Sequence, residues 1–258
     1  MGRSVRVAMT FLIVALAIAG APPQAQAQTV DEIVARNLEA RGGLEKIRAV
    51  QSIKQTSHLK IQAMSATLTL YAKRPNLSRQ EVTIAGATVI AAFDGVNAWG
   101  INPMAGQTTP KVLTGQAADQ VRREADFDPP LLDYRAKGTK VEFVGNEPDG
   151  ARTLIHLRIT DKAGVVTNCY LDSQTALEAK IVADGPTGPV ETRLSDYRDV
   201  GGLKMPFSIR TTAAGVVLAD LIVDTIEFNV PTPASLFTMP GKGVKNDARR
   251  PFSLMMSA

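Results

Sequence analysis

Catalytic raw material is scarce in this chain. It has two histidines, His58 and His156, and one cysteine, Cys169. Metal sites need clustered His, Cys or carboxylate ligands, and each histidine stands alone in an alternating segment, so both read as solvent-facing strand residues. A single cysteine cannot close an internal disulfide, and no His or CxxC partner accompanies it. Cys169 therefore reads as a buried thiol rather than a reactive one, and the fold must rest on its core. No GxSxG elbow, P-loop or GxGxxG is present, which removes the common sites for acyl transfer, phosphate and dinucleotide. The acidic pairs Asp126/Asp128 and Asp196/Asp199 lie in turn-like contexts, where capping explains them. No cofactor, no metal and no catalytic residue is expected, although carboxylates distant in sequence can still meet in space.

Long apolar runs are also missing. The only candidate, Met9 to Ala21, is shorter than the about 20 residues that a membrane-spanning helix needs. With Arg3 and Arg6 before it and Ala25-Gln26-Ala27 after it, residues 1–27 read as a signal peptide. No cysteine follows to carry a lipid anchor, so an exported chain without a transmembrane segment is expected. Losing Arg3 and Arg6 lowers 29 Lys+Arg to 27, against 25 Asp+Glu. That near balance, without a clustered basic face carrying aromatics, gives no nucleic-acid surface.

What remains has two periods. Thr29 to Arg41 places Val30, Ile33, Val34 and Leu38 at helical spacing, with acids in its first turn and Gly42-Gly43 as its stop. A short helix over Leu44 to Val50 follows. From Ser52 the period becomes two. Ile53 to Gln62 sets Leu59 and Ile61 on one face and His58, Lys60 and Gln62 on the other, and Ala66 to Lys73 does the same with Leu68 and Leu70. Leu77 to Ile84, Thr88 to Phe93 and Val96 to Ile101 continue the meander, with Asp94-Gly95 as a tight turn. Short turns imply antiparallel neighbours.

Gly115 to Ala125 then breaks the pattern with a polar helix, followed by the stiff segment Asp128-Pro129-Pro130-Leu131-Leu132-Asp133-Tyr134. Leu131 and Leu132 suit either an apolar lid edge or a loop pinned to the core. Strands resume at 140–146, 152–160, 165–172, 177–183, 190–200, 205–212 and 216–228, roughly a dozen in all. Aromatics make up 5% of the chain, too few to fill a closed barrel of this length with large side chains. An aliphatic lining around a cavity, or a plain aliphatic core, fits the many Val, Ile, Leu and Ala residues. The lone Trp99 suits a cavity mouth or core packing equally. Residues 28–240 read as one domain, and 241–258 as a basic, apolar-tipped C-terminal tail, either solvated or touching a membrane or partner.

Three stretches carry a family resemblance: Phe93 to Trp99 (FDGVNAW), Asp196 to Ile209 (DYRDVGGLKMPFSI) and Ser235 to Pro240 (SLFTMP). Together they resemble the LolA-like superfamily, the outer-membrane lipoprotein-sorting proteins of Gram-negative bacteria, over nearly the whole of residues 28–240. The resemblance implies a mostly β fold with a few helices: an open, strongly curved antiparallel half-barrel with helices across its concave face. It further implies a periplasmic, non-enzymatic carrier whose apolar cavity takes lipid or lipoprotein acyl chains, with an inner-membrane release complex and an outer-membrane acceptor as partners. A strand arginine latches the lid in such carriers; here Arg74, Arg79, Arg158 and Arg193 all remain open for that role. Strand parity then nominates Leu59, Ile61, Leu68, Leu70, Ile155, Leu157, Met205 and Phe207 for the cavity, with Trp99, Leu131 and Leu132 at its mouth or lid and the helix at 115–125 as the lid itself. The rival readings are a lipid-sensing or partner-binding envelope module and, more remotely, an envelope hydrolase.

Overall fold

The computed structural model describes residues 28–61, 64–185 and 188–241. The expected signal peptide, Gln62 and the tail beyond Gly241 lie outside these residues. Helix α1 (Val30–Ala40) begins where Thr29 and Glu32 cap each other reciprocally, the Thr29 amide donating to Glu32 Oε2 at 2.8 Å. It ends at Gly42, where a side chain would collide with the Gly202 carbonyl. That close approach lets the Lys204 amide donate to the Arg41 carbonyl at 2.9 Å. Helix α2 (Leu44–Ala49) follows directly, and α3 (Gly115–Glu124) comes mid-chain, as the spacing predicted. None of these helices is long and apolar enough to cross a membrane.

Thirteen strands form one sheet: β1 (Ser52–Ile61), β2 (Met64–Lys73), β3 (Leu77–Ile84), β4 (Ala87–Phe93), β5 (Ala98–Asn102), β6 (Gln107–Val112), β7 (Lys140–Asp149), β8 (Arg152–Thr160), β9 (Val166–Asp172), β10 (Glu178–Gly185), β11 (Gly188–Val200), β12 (Leu203–Ala213) and β13 (Val216–Phe228). Strand β6 was not foreseen, because Gln-Thr-Thr-Pro-Lys-Val has no apolar alternation; hydrogen bonding to β5 makes it a strand. The chain meanders from β1 out to β6, crosses through α3, and meanders back from β7 until β13 pairs with β1, from Ile53 opposite Phe228 to Lys60 opposite Asp220. The sheet is antiparallel, curved and unclosed, with β6 and β7 as its edges. Pro110 and Pro148 lie on those edges, where a missing amide hinders pairing with another chain.

Cross-strand rows separate the two faces. Ile53, Ala72, Ser78, Phe93 and Ala98 stand opposite one another on the inner, concave face; one residue over, Lys54, Tyr71, Arg79, Ala92 and Trp99 form an outer row. The helices pack inside. Helix α1 buries Ile33, Val34 and Leu38 against Ile155, Leu157, Ile159, Cys169 and Leu171 of β8 and β9, each such side chain contributing about 1.5–3 kcal/mol relative to exposure. Helix α3 sets Ala118, Val121 and Ala125 on Phe93 and Ala98.

The outer face has its own cover. After β13 the chain crosses β1 to β5: Ser52 Oγ donates to the Val230 carbonyl, Lys73 Nζ to Thr232, Arg79 Nη1 to Leu236 and Trp99 Nε1 to Phe237 at 2.7 Å. At the other edge His156 is buried, which corrects its expected solvent-facing position. Its Nδ1 donates to Glu147 Oε1 at 2.7 Å, its Nε2 meets Asn168 at 2.9 Å, and its ring stacks on Tyr170 at 4.3 Å. The β7–β8 hairpin rolls over this face far enough for Asp149 to reach Arg193 of β11 at 3.0 Å. Four inter-strand steps would hold them about 19 Å apart in a flat sheet. His58, by contrast, is exposed as expected.

Candidate functional site

A cavity of about 250 Å³ lies on the concave face, where α2, the ends of β12 and β13, and the loop after α3 converge. Its apolar wall is Ile47, Val50, Ile53, Phe127, Met205 and Phe228, and Pro129-Pro130 closes it from the loop side. Arg41, Lys204 and Arg74 stand at its rim with Asp126 and Asp128.

Arg74, just past β2, ties the loop to the end of α2. Its Nε and Nη2 donate to the carbonyls of Val50 and Ile47 at 2.7 and 3.1 Å, where the end of α2 leaves acceptors unpaired. Its Nη1 lies 2.6 Å from Asp128 Oδ1, and its guanidinium covers the Phe127 ring at 4.8 Å. The approach to Asp128 is an ion pair without hydrogen-bond alignment, so that carboxylate oxygen is buried without a hydrogen bond. Lys137 makes the second clamp, reaching Asp126 Oδ2 at 3.1 Å and the Asp128 carbonyl at 3.3 Å. Of the other candidate arginines, Arg79 lies over Trp99 on the outer face, Arg193 is paired with Asp149 and Glu191, and Arg158 is exposed.

Arg41 sits deeper, paired with Glu178 at 3.1 Å in a largely buried ion pair. The Tyr197 hydroxyl donates to the Glu178 carbonyl at 2.8 Å. Burial, and secondly the negative charge of Glu178, push the Tyr197 phenol and the Cys169 thiol well above their usual ranges. Both stay protonated at neutral pH, so Cys169 is no nucleophile. Among the described residues no cluster of His, Cys, Asp or Glu could hold a metal ion.

Beyond the cavity the concave face continues toward the opposite end of the sheet as a trough of half-buried aliphatics. Leu59 stands opposite Ala66 and Leu221, Leu221 opposite Ile209, and Leu68 opposite Val82. Ile61 and Leu70 share this face by alternation. The structure thus brings Leu59, Ile61, Leu68 and Leu70 together in the trough and puts Met205 in the cavity wall. Phe207 packs behind it with Val223 and Ile226. Ile155 and Leu157 are sealed beneath α1, and Leu131 and Leu132 join the same core, so from this loop it is Phe127 to Pro130 that line the cavity. Trp99 is on the outer face, fully buried under Phe237. Helix α3 covers β4 and β5 and contributes no residue to the cavity. Sequence reasoning did not nominate Arg41, Ile47, Val50, Ile53, Phe127 or Phe228; the Pro-Pro pair after Asp128 was the one available signal.

Solved structures share this architecture. A LolA superfamily protein from Nitrosomonas europaea superimposes with a TM-score of 0.55 at 15% identity, covering 82% of this chain and 98% of its own. A putative outer membrane lipoprotein-sorting protein domain from Vibrio parahaemolyticus gives 0.55 at 11%, covering 80% and 94%. A DUF1329 family protein from Desulfovibrio piger gives 0.57 at 9%, covering 81% and 97%. No family model matches the sequence, and no curated protein does. At such identities the likeness establishes the fold, which is LolA-like.

Proposed function

From this fold we propose that the protein is a non-enzymatic periplasmic carrier that holds acyl chains of a lipid or lipoprotein in the concave trough, for delivery to the outer membrane. The observation that carries the reading is the row Leu59, Ile61, Leu68 and Leu70, left half-buried on the face that ends in the cavity under Phe127 to Pro130. Soluble domains cover such a row with a helix or a second sheet. Here the helices cover the β7–β9 side and the β4–β5 side and leave the middle free. Each acyl methylene taken from water contributes about 0.8 kcal/mol, so area alone binds a chain and no catalytic group is needed.

At about 250 Å³ the cavity is smaller than sites for drug-sized ligands, which run about 300–1,000 Å³. A full acyl chain therefore needs the trough, or an outward movement of the loop at 126–130, and Arg74 is the latch that movement must release. Lipid extraction and native mass spectrometry of protein purified from the periplasm test the proposal. Co-purifying lipid supports it; a reproducibly ligand-free protein that takes up no fatty acid overturns it.

A further inference from the structure

Exposed apolar side chains are distributed unequally between the two ends of the sheet. At the cavity end several connections are self-capped by aspartate, with Val96 of the Asp94 turn the one strongly exposed apolar side chain among these turns. Asp94 accepts from the amides of Val96 and Asn97, Asp172 from those of Gln174 and Thr175, and Asp199 from Gly202. That is the ordinary solution for a turn facing water.

At the opposite end Asp161 caps the β8–β9 turn in the same way, but apolar side chains gather around the turns. The β8–β9 and β12–β13 hairpins both turn on the same four residues, Ala163-Gly164-Val165-Val166 and Ala214-Gly215-Val216-Val217, with Gly164 and Gly215 at φ +83° and +77°. The register puts Thr160 opposite Val166 and Ala213 opposite Val216, so both tips project from the same end, about 19 Å apart along the sheet. Met64 stands at the β1–β2 connection of that end, opposite Ile61. Met64, Val165, Val166, Val216, Val217 and Leu218 are each between 38% and 60% exposed. Glycine is required in these turns; two valines after each one are not, and they cost solubility.

We propose that this apolar rim docks on the surface of a phospholipid bilayer. Three observations select that occupant. The rim is where the trough of Leu59, Ile61 and Leu68 opens, so an acyl chain leaving a membrane enters the trough without crossing water. Its charges suit anionic headgroups: Lys60 and Lys162 are exposed beside the apolar tips, and Asp161 spends its carboxylate inside its own turn on the amides of Ala163 and Val165. Against them stand Asp184, exposed on the hairpin between the two tips, and Asp220 and Glu142, ion-paired with Arg210 and Lys140 respectively. Finally, hairpin tips present no free sheet edge, so the rim offers side chains to lipid without offering a ladder to another strand. The rim has a use only if the trough carries acyl chains, as proposed above, but membrane contact is measured separately from uptake.

The test is flotation of the purified protein with vesicles of phosphatidylcholine and phosphatidylglycerol in equal parts, compared with the variant Val165→Asp/Val166→Asp/Val216→Asp/Leu218→Asp. The protein is expected to float, and the variant to bind about tenfold more weakly or less. The variant should still take up a fluorescent fatty acid in vesicle-free buffer. Should it misfold, Val165→Thr/Val216→Thr preserves shape while adding hydroxyls, and weaker flotation is again expected. Failure of the native protein to float, or equal flotation of a folded variant, overturns the inference. So does self-association without lipid that the variant abolishes, which would assign the rim to a second copy of the chain. Leu68→Arg separates the two proposals: it should lose fatty-acid uptake and keep flotation.

Discussion

Arg74 ties two separate pieces of chain together through one side chain: it donates to the carbonyls of Ile47 and Val50 and, 2.6 Å away on its third nitrogen, faces Asp128. The helix end receives two charge-assisted hydrogen bonds, whereas the loop is held by the ion pair to Asp128 and by Phe127 under the guanidinium.

Asp128→Asn should therefore loosen the loop without disturbing α2. A partly exposed ion pair is worth about 1 kcal/mol, which favours the open loop by about fivefold. Stopped-flow uptake of a fluorescent fatty acid should speed up by a similar factor at nearly unchanged melting temperature. Unchanged kinetics would show that Asp128 does not restrain the loop.

Arg74→Ala should cost stability as well, because it strands the Ile47 and Val50 carbonyls. About 1–3 kcal/mol is expected for a buried acceptor left unpaired. Urea titration measures it, and Arg74→Lys, which cannot serve three acceptors in one plane, should recover only part of the loss.

Leu68→Arg places a charge in the trough at a half-buried position. It should abolish fatty-acid binding and leave folding intact. Retained binding would mean that the acyl chain lies elsewhere than on this face.

Trp99→Ala removes the largest fully buried side chain from beneath the C-terminal crossing and should cost about 3–5 kcal/mol. Trp99→Phe should cost about 1–3 kcal/mol, because it leaves the buried Phe237 carbonyl without its donor. Fatty-acid affinity should change in neither folded variant, since the residue faces away from the trough.

Asp149→Asn tests the roll of the β7–β8 hairpin. The hydrogen bonds from Arg193, and secondly from Arg152, hold the Asp149 carboxyl below its ordinary 3.8. A carboxyl depressed in the folded state stabilises the protein fully above its unfolded value, and that contribution fades as pH falls through the folded one. The variant should thus be less stable than the native protein at pH 7, and the two melting temperatures should converge below about pH 4. A constant difference across that range would refute the assignment.

Much of this molecule is local. Thr29 and Glu32, the Gly42-Gly43 stop, the alternation of Leu59 with Lys60 and the Asp94-Gly95 turn state their structures within a few residues, because capping, φ preference and strand parity act at that range. Parity also put Leu59, Ile61, Leu68 and Leu70 on one face correctly.

What covers a face is not local. Alternation says that Trp99 and Ala98 point apart, but only the crossing of residues 230–237 makes the outer side of Trp99 a dry one. The same holds for His156, whose polar ring reads as exposed until Glu147 and the rolled hairpin close over it. Leu131 and Leu132 suit either a lid edge or a pinned loop in sequence, and packing with α1 decides for the core, while Phe127 and Pro130 take the wall. Above all, β13 meets β1 across the whole length of the chain, which turns two meanders into one trough. The amino-acid sequence by itself determined the strands, the helices and the face each side chain takes; tertiary packing alone decided which face stayed partly uncovered, since burial depends on residues far away in sequence.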